Sequence, residues 1–193
     1  MLKKLKVLGF KNIKFLTKGK RGLVYTANYR KKRVAIKLKN KKSLAKDRIQ
    51  NEIEFLKILN KYKIGPKLIL TNKNFFVYEF IKGKEFVDLI KKRKNTSLII
   101  KKILKKCRKL DELKINKKEF TRPNKHILIK NNNPYFIDFE RCYFTDKPKN
   151  VTQFCQFLIK KKLIKNNKKI LQRYKADQNE KNFKEILKLI KSP

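Results

Sequence analysis

Residues 115–140, Ile-Asn-Lys-Lys-Glu-Phe-Thr-Arg-Pro-Asn-Lys-His-Ile-Leu-Ile-Lys-Asn-Asn-Asn-Pro-Tyr-Phe-Ile-Asp-Phe-Glu, constrain this chain more than any other stretch. A carboxylate, Glu119, is followed five residues later by an amide, Asn124. Two apolar runs, Ile127 to Ile129 and Tyr135 to Ile137, then flank an asparagine-rich turn and read as paired strands, with Asp138 directly after them. Hard oxygen donors and a carboxylate able to accept a proton are the groups that a divalent cation and acid–base chemistry require.

At 193 residues the chain suits one domain, or two small lobes sharing a cleft, and can bury a real core. Its apolar residues, 40% of the total, fall in recurrent runs, so the chain is globular despite 37% charged residues. The 56 Lys and Arg against 15 Asp and Glu give a net charge of +41. A/T-rich codons and a lysine-rich solvated surface account for much of that, but not for the scarcity of acids. Such an excess attracts polyanions by steering and counterion release, so RNA, a ribosomal particle or DNA is an expected class of partner. The aromatics lie mostly inside apolar runs and form no RNA-stacking motif. Cys107, Cys142 and Cys155 are too few and too scattered for a disulfide framework or a metal site, which fits reduced thiols in a cytoplasm. Cys107 and Cys155 lie on helical stretches and are expected in the core. The basic segment Met1 to Phe10 lacks the apolar run of a signal peptide, and no stretch reaches the roughly 18 apolar residues of a membrane span. The expectation is a cytoplasmic monomer.

Upstream, residues 12–39 read as three strands, Ile13 to Leu16, Leu23 to Tyr29 and Arg33 to Leu38. Lys18-Gly-Lys-Arg-Gly22 joins the first two, and the basic turn Arg30-Lys-Lys32 the second two. Alternation along the third strand puts Val34 and Ile36 on one face, Ala35 and Lys37 on the other. A helix is expected over 41–60, with Leu44, Ile49, Ile53, Phe55, Leu56, Ile58 and Leu59 on a broad apolar side and Asp47, Glu52 and Glu54 as its only acids. Ile64-Gly-Pro-Lys-Leu-Ile-Leu70 ends that helix and starts a strand, and Phe75 to Ile81 forms another. Further helices are expected over 84–93, 96–114, 146–164, 166–175 and 180–191. In the second of these, Lys101-Lys102, Lys105-Lys106 and Arg108-Lys109 are expected on the solvent side, either as a solvated face or as a polyanion-binding ridge.

In order and spacing these segments resemble the protein-kinase superfamily. Gly19-x-x-Gly22-x-Val24 is similar to the end of its glycine-rich loop, with Thr17 where the first glycine would stand. Val34-Ala-Ile-Lys37, 18 residues after Gly19, looks like its third strand, and Phe75 to Gly83 like the strand leading into its hinge. The resemblance implies that Gly19 and Gly22 bring backbone N–H groups to phosphates, that Val24 packs on adenine, and that Ala35 leaves room for it. Lys37 would position the phosphates of ATP, braced by Glu52 or, as the alternative, Glu54. Tyr78 would take the gatekeeper position, with the backbone of Glu79, Phe80 and Ile81 facing the adenine edge. In residues 115–140, Glu119 stands for the catalytic aspartate, Lys117 for the preceding histidine, Thr121-Arg122 for the Lys-Pro step, and Asp138-Phe139-Glu140 for Asp-Phe-Gly. Glu119 would then be the base, Asn124 and Asp138 would hold Mg²⁺, and Arg122 would contact the γ-phosphate. A glutamate reaches one bond further than an aspartate, about 1.5 Å. A displacement of that size, uncompensated, costs on the order of 100-fold in rate. Glu140 replaces a flexible glycine and implies a stiffer segment; its carboxylate is open to metal binding or to pairing with Arg122 or Arg141.

Glu119-Phe-Thr-Arg-Pro-Asn-Lys-His126 is similar to the corresponding loop of a small group of archaeal predicted serine/threonine kinases related to the RIO-type atypical kinases. His126, the only histidine, is expected to pack or to bond the loop. What this resemblance implies is an α+β, two-lobed protein-kinase-like fold: a β-rich N-lobe over 1–82 and a reduced helical C-lobe over 83–193. No Ala-Pro-Glu segment follows Glu140, so the usual peptide-docking surface is not expected. The implied activity is an ATP- and Mg²⁺-dependent atypical serine/threonine kinase or ATPase of the RIO-like class, with a protein, an RNA-associated factor or a small molecule open as acceptor. The altered loop and the charge leave a second reading open, a pseudokinase or nucleotide-switched RNA- or ribosome-binding module.

Overall fold

Alternating apolar residues and tight basic turns place a five-stranded antiparallel sheet at the N-terminal end. Its strands are β1 (Lys11–Lys18), β2 (Gly22–Tyr29), β3 (Lys32–Lys39), β4 (Leu68–Thr71) and β5 (Phe75–Glu79), in the order β1-β2-β3-β5-β4. The computed structural model describes residues 2–19, 22–40, 48–91 and 96–191. The expected helix start at 41–47, with Leu44 and Asp47, the loop residues Lys20 and Arg21, and the helix end at 92–93 lie outside the described residues. Contacts divide the chain into two units, Met1–Lys82 with Ile137–Glu140, and Gly83–Phe136 with Arg141–Pro193.

Within the first unit, Tyr29 pairs with Lys32, and Arg30 and Lys31 both take positive φ. That is the two-residue turn whose twist suits a hairpin. Register then sorts the side chains. Lys37 lies opposite Val24 and Phe76, and Ala35 opposite Thr26 and Tyr78, so these six share one face. Ala27, Val34, Ile36, Leu38, Phe75 and Val77 point the other way and form a core with Leu5 and Phe10. Leu5 comes from α1 (Leu2–Val7), a helix absent from the expectations above. The sequence does carry its stop signal: Gly9 is left-handed (φ +86°), its N–H donates to Lys6 O, and Phe10 N–H donates to Leu5 O. This is a Schellman cap, with Leu5 and Phe10 as its apolar contact.

Helix α2 (Arg48–Asn60) buries Ile49, Glu52, Ile53, Phe55, Leu56 and Leu59. Asn60 ties its end to β4: Nδ2 donates to Pro66 O at 2.9 Å and Oδ1 accepts from Leu68 N–H at 2.7 Å. Gly65, between them, has φ +81°, and a Cβ there would lie 2.9 Å from the Phe139 ring and 3.2 Å from Leu56.

The second unit holds α3 (Phe86–Lys91), α4 (Ser97–Glu112), α5 (Asn150–Lys160), α6 (Lys168–Ala176) and α7 (Glu180–Lys188). Its short strands are β6 (Lys84–Glu85), β7 (Ile115–Lys117), β8 (Ile127–Lys130), β9 (Asn133–Phe136) and β10 (Cys142–Phe144). The helix expected from 84 starts two residues late, because Lys84 and Glu85 pair with Ile129 and Leu128. The helix expected from 146 starts at Asn150. Asn167 and Asn179 cap α6 and α7, accepting from Ile170 N–H and Asn182 N–H. Phe120 packs edge-on against Phe136, with ring centres 4.9 Å apart, and near Phe154. A buried polar knot closes the unit. Asp111 accepts from Asn150 N–H (2.9 Å), Asn150 Nδ2 (2.7 Å), Val151 N–H (3.2 Å) and the Tyr174 hydroxyl (3.0 Å). Burial pushes the Asp111 carboxyl up, against the pull of these donors.

The basic face expected on α4 is only partly solvated. Lys102 Nζ donates to Asn132 O and Asn133 Oδ1, both at 2.9 Å, and Lys106 Nζ donates to Pro134 O at 2.8 Å beside the Tyr135 ring. Burial lowers the Lys106 pKa to about 8. Arg108 is taken up by Glu112 at 3.3 Å and by Gln178 O. Spacing alone placed these residues outward; the 131–134 turn and the 177–179 segment cover them. Among the described residues no helix is long and apolar enough to cross a membrane. The Gly65→Ala variant is expected to lose on the order of 2 kcal/mol in urea unfolding, since it combines a left-handed backbone with overpacking. Gly19→Ala, whose added Cβ would meet only Gly22 O at 3.6 Å, should leave the midpoint nearly unchanged.

Candidate active site

Strand β3 carries Lys37 into a nest of carboxylates. Its Nζ lies 2.6 Å from Glu52 Oε2, 3.1 Å from Asp138 Oδ1 and 3.5 Å from Glu140 Oε2. Lys37 is 8% exposed and Glu52 3%. Helical spacing selects the glutamate: Glu52 faces inward from α2, whereas Glu54 is exposed. The second oxygen of Glu52 accepts from Phe139 N–H at 3.1 Å, so one carboxylate ties β3, α2 and residues 137–140 together. Phe139 is fully buried beside Gly65 and Leu56. Asp138 supplies the left-handed bend (φ +65°), while Glu140 is not among the positive-φ residues, so the missing glycine leaves no strained backbone at 140. The Glu140 carbonyl accepts from Arg48 Nη1 (3.3 Å) and Asn51 Nδ2 (3.1 Å), and its carboxylate turns to Lys37.

Burial works against the Lys37 ammonium, but Glu52, Asp138 and Glu140 outweigh it and hold the pKa above the usual lysine range. Lys37 is therefore a fixed cation. Burial likewise raises the Tyr78 hydroxyl pKa, keeping it neutral on the same face of the sheet. Carboxylate oxygens of Glu52, Asp138 and Glu140 lie within 4.8 Å of one another, a hard-oxygen donor set that fits Mg²⁺.

Of the two loop glycines, Gly19 donates its N–H to Gly22 O at 2.9 Å. Gly22 serves by lacking a side chain: a Cβ there would stand 3.0 Å from Lys37 Cε and 3.2 Å from Leu38 O. Val24 and Ala35 share the face of Lys37. Glu79 N–H donates to Lys67 O at 2.8 Å and Phe80 N–H to Arg33 O at 3.3 Å, while the Arg33 guanidinium lies 4.4 Å from the Phe80 ring centre. Those two N–H groups belong to the sheet. The Ile81 side chain is buried.

In the second unit Glu119 sits on the 3₁₀ turn Lys118–Thr121, 7% exposed. Lys117 Nζ lies 3.1 Å from Glu119 Oε2, and Arg141 Nε 3.9 Å from Oε1. Lys117 is itself fully buried, and its N–H donates to Asn150 Oδ1 at 2.8 Å. Arg122 and Asn124 are exposed just beyond the turn, and the backbone N–H of His126 donates to Pro123 O at 3.0 Å. Sequence reasoning treated Lys117 only as a replacement for a histidine and missed its pairing with Glu119. The available signal was the scarcity of acids, since a buried carboxylate needs a nearby cation. Lys117→Met is expected to cost on the order of 3–5 kcal/mol in chemical denaturation, because it strands a buried charge. The double variant with Glu119→Gln should recover much of that loss.

Among curated proteins none matches the chain. A family model described as the RIO domain matches residues 5–177, from α1 past the end of α6. The mixed α+β architecture, with its antiparallel sheet in the N-terminal part and helices towards the C-terminal end, agrees with a RIO kinase-like fold. The chain therefore belongs to the RIO domain family, a family of atypical protein-kinase-like proteins that act as kinases or ATPases.

Proposed function

We propose that the protein is an ATP- and Mg²⁺-dependent atypical serine/threonine kinase or ATPase. The observation that carries this reading is the buried Lys37–Glu52 pair at 2.6 Å with Asp138 Oδ1 at 3.1 Å from the same ammonium. Lys37 binds the phosphates as a fixed cation, and Glu52 holds its side chain in place. Val24, Ala35 and Tyr78 form the apolar seat for the purine, whose edge faces the backbone of Glu79 to Ile81. Asp138 and Asn124 are the metal ligands. Held by these two residues, Mg²⁺ would supply positive charge to offset the charge that develops on the phosphates. Glu119 takes the proton of the attacking hydroxyl or water, and Arg122, exposed beyond the turn, attends the γ-phosphate.

One observation favours a second reading. Glu119 is buried and paired with Lys117 and Arg141, which suits a structural carboxylate in a module that binds nucleotide without transferring phosphate. In that case the +41 chain acts by salt-sensitive binding of RNA or a ribosomal particle in the cytoplasm. ATP turnover separates the two. Lys37→Ala and Asp138→Asn are each expected to lower it by roughly 100-fold or more, as losses of charge-stabilising contacts do. Glu119→Gln should do the same if Glu119 is the base. Turnover indifferent to all three substitutions would sink the kinase assignment.

A further inference from the structure

We infer that a basic cleft in the second unit docks an acidic stretch of the acceptor protein beside Glu119. The inference deepens the phosphotransferase reading by naming the chemistry of its acceptor, and rests on it.

The short segment from Tyr143 to Lys149 and the second half of α6 flank a cleft of about 860 Å³. Lys114, Lys147, Lys149 and Lys175 line it, against two acids, Asp146 and Asp177. A second cleft of about 350 Å³ shares Lys149, Gln172 and Lys175 and adds Lys168, so the basic surface runs on between α5 and α6. Lysine is abundant in this chain, and its number alone carries no argument. These lysines are exposed, and among the described residues Lys147, Lys149, Lys168 and Lys175 make no ion pair with a carboxylate. Lys102 and Lys106, by contrast, are taken up by the 131–134 turn.

The walls of the cleft are fixed in advance. Gln178 Nε2 donates to Pro148 O at 2.7 Å, Lys149 N–H to Asn116 Oδ1 at 2.8 Å and Thr145 N–H to Lys114 O at 2.8 Å. A ligand therefore meets cations on an ordered backbone, which lowers the ordering cost of binding. The cleft also adjoins the turn that carries Glu119. Tyr143 lines it, and Lys118 Nζ lies 5.2 Å from the Tyr143 ring centre. Arg141, separated from Tyr143 by the buried Cys142, reaches Glu119 Oε1 at 3.9 Å. A chain seated on the lysines can thus present a hydroxyl near Glu119.

Two observations favour a polypeptide over a nucleic acid. Among the described residues no arginine lines either cleft, so the bidentate fork suited to phosphodiesters is missing, whereas compact ammonium groups suit spaced carboxylates. Tyr143 already carries Lys118 over its ring, which leaves a poor platform for stacking a base.

The test uses the full chain and two labelled serine peptides, one with Asp and Glu around the serine and one with Asn and Gln in their place. Binding is read by fluorescence anisotropy and phosphate transfer by steady-state kinetics with Mg·ATP. At low salt the acidic peptide should bind about 10-fold tighter than the neutral one, the size of several exposed ion pairs acting together. The triple variant Lys147→Gln/Lys149→Gln/Lys175→Gln should erase that preference and raise KM for the acidic peptide by a similar factor. Lys57→Gln/Lys101→Gln/Lys105→Gln removes the same charge from exposed positions elsewhere and should leave the preference in place. Equal binding of the two peptides, equal loss in both triple variants, or tighter binding of a single-stranded RNA of matched charge through the same lysines overturns the inference. If the acidic peptide binds through the cleft yet receives no phosphate from the wild type, the phosphotransferase reading fails and the acceptor role falls with it. Transfer at an unchanged KM in the cleft variant leaves that reading standing and refutes only the docking site.

Discussion

The first unit depends on one buried ion pair. Lys37 and Glu52 are both nearly inaccessible and 2.6 Å apart, and removing Lys37 would take the paired cation from a buried carboxylate at a cost of roughly 3–5 kcal/mol. Much of the local architecture serves that pair. Gly22 leaves space for the lysine stem, and Phe139 N–H holds the far oxygen of Glu52. Gly65 lets the Phe139 ring settle against α2, which fixes residues 137–140 beside the pair. A chain with 15 acids places three of them around one lysine, and desolvated charge of this kind is seldom retained for stability alone.

The second unit is held by a different device of the same type. Asp111 collects donors from Asn150, Val151 and Tyr174, and Asn150 in turn accepts from Lys117 N–H, next to the Lys117–Glu119 pair. The turn that carries Glu119 is thereby tied to α4 and α5 by hydrogen bonds with few alternatives, since each donor is buried among apolar neighbours. The same packing that fixes Glu119 also shields it. That tension between positioning and access is what separates the two functional readings.

Local chemistry explains what could be read from the sequence. β3 was legible because alternation and the Val-Ala-Ile-Lys run agree, and the choice of Glu52 over Glu54 follows from which face of α2 is apolar. The family was legible because its motifs are short and ordered. Contacts set by long-range geometry were not. Glu140 was read through the glycine it replaces, whereas its partner Lys37 lies 103 residues away. Lys102 and Lys106 have the spacing of a solvated face, and only the 131–134 turn, folded back on α4, reveals that they are hydrogen-bond donors. Helix α1 was missed because its apolar face is only two turns long and its cap depends on the φ of a single glycine.

The central claim is that the carboxylate-braced Lys37 is the phosphate-binding cation of a nucleotide site. Its most direct test is a calorimetric titration of the wild-type chain and of Lys37→Met with Mg·ATP, Met keeping the stem without the charge. The account predicts saturable binding at one site per chain in the wild type and its loss, by about 100-fold or more in affinity, in the variant, as expected when a buried charged contact to phosphate is removed. Equal affinity in the two proteins, or no binding by the wild type, would contradict it.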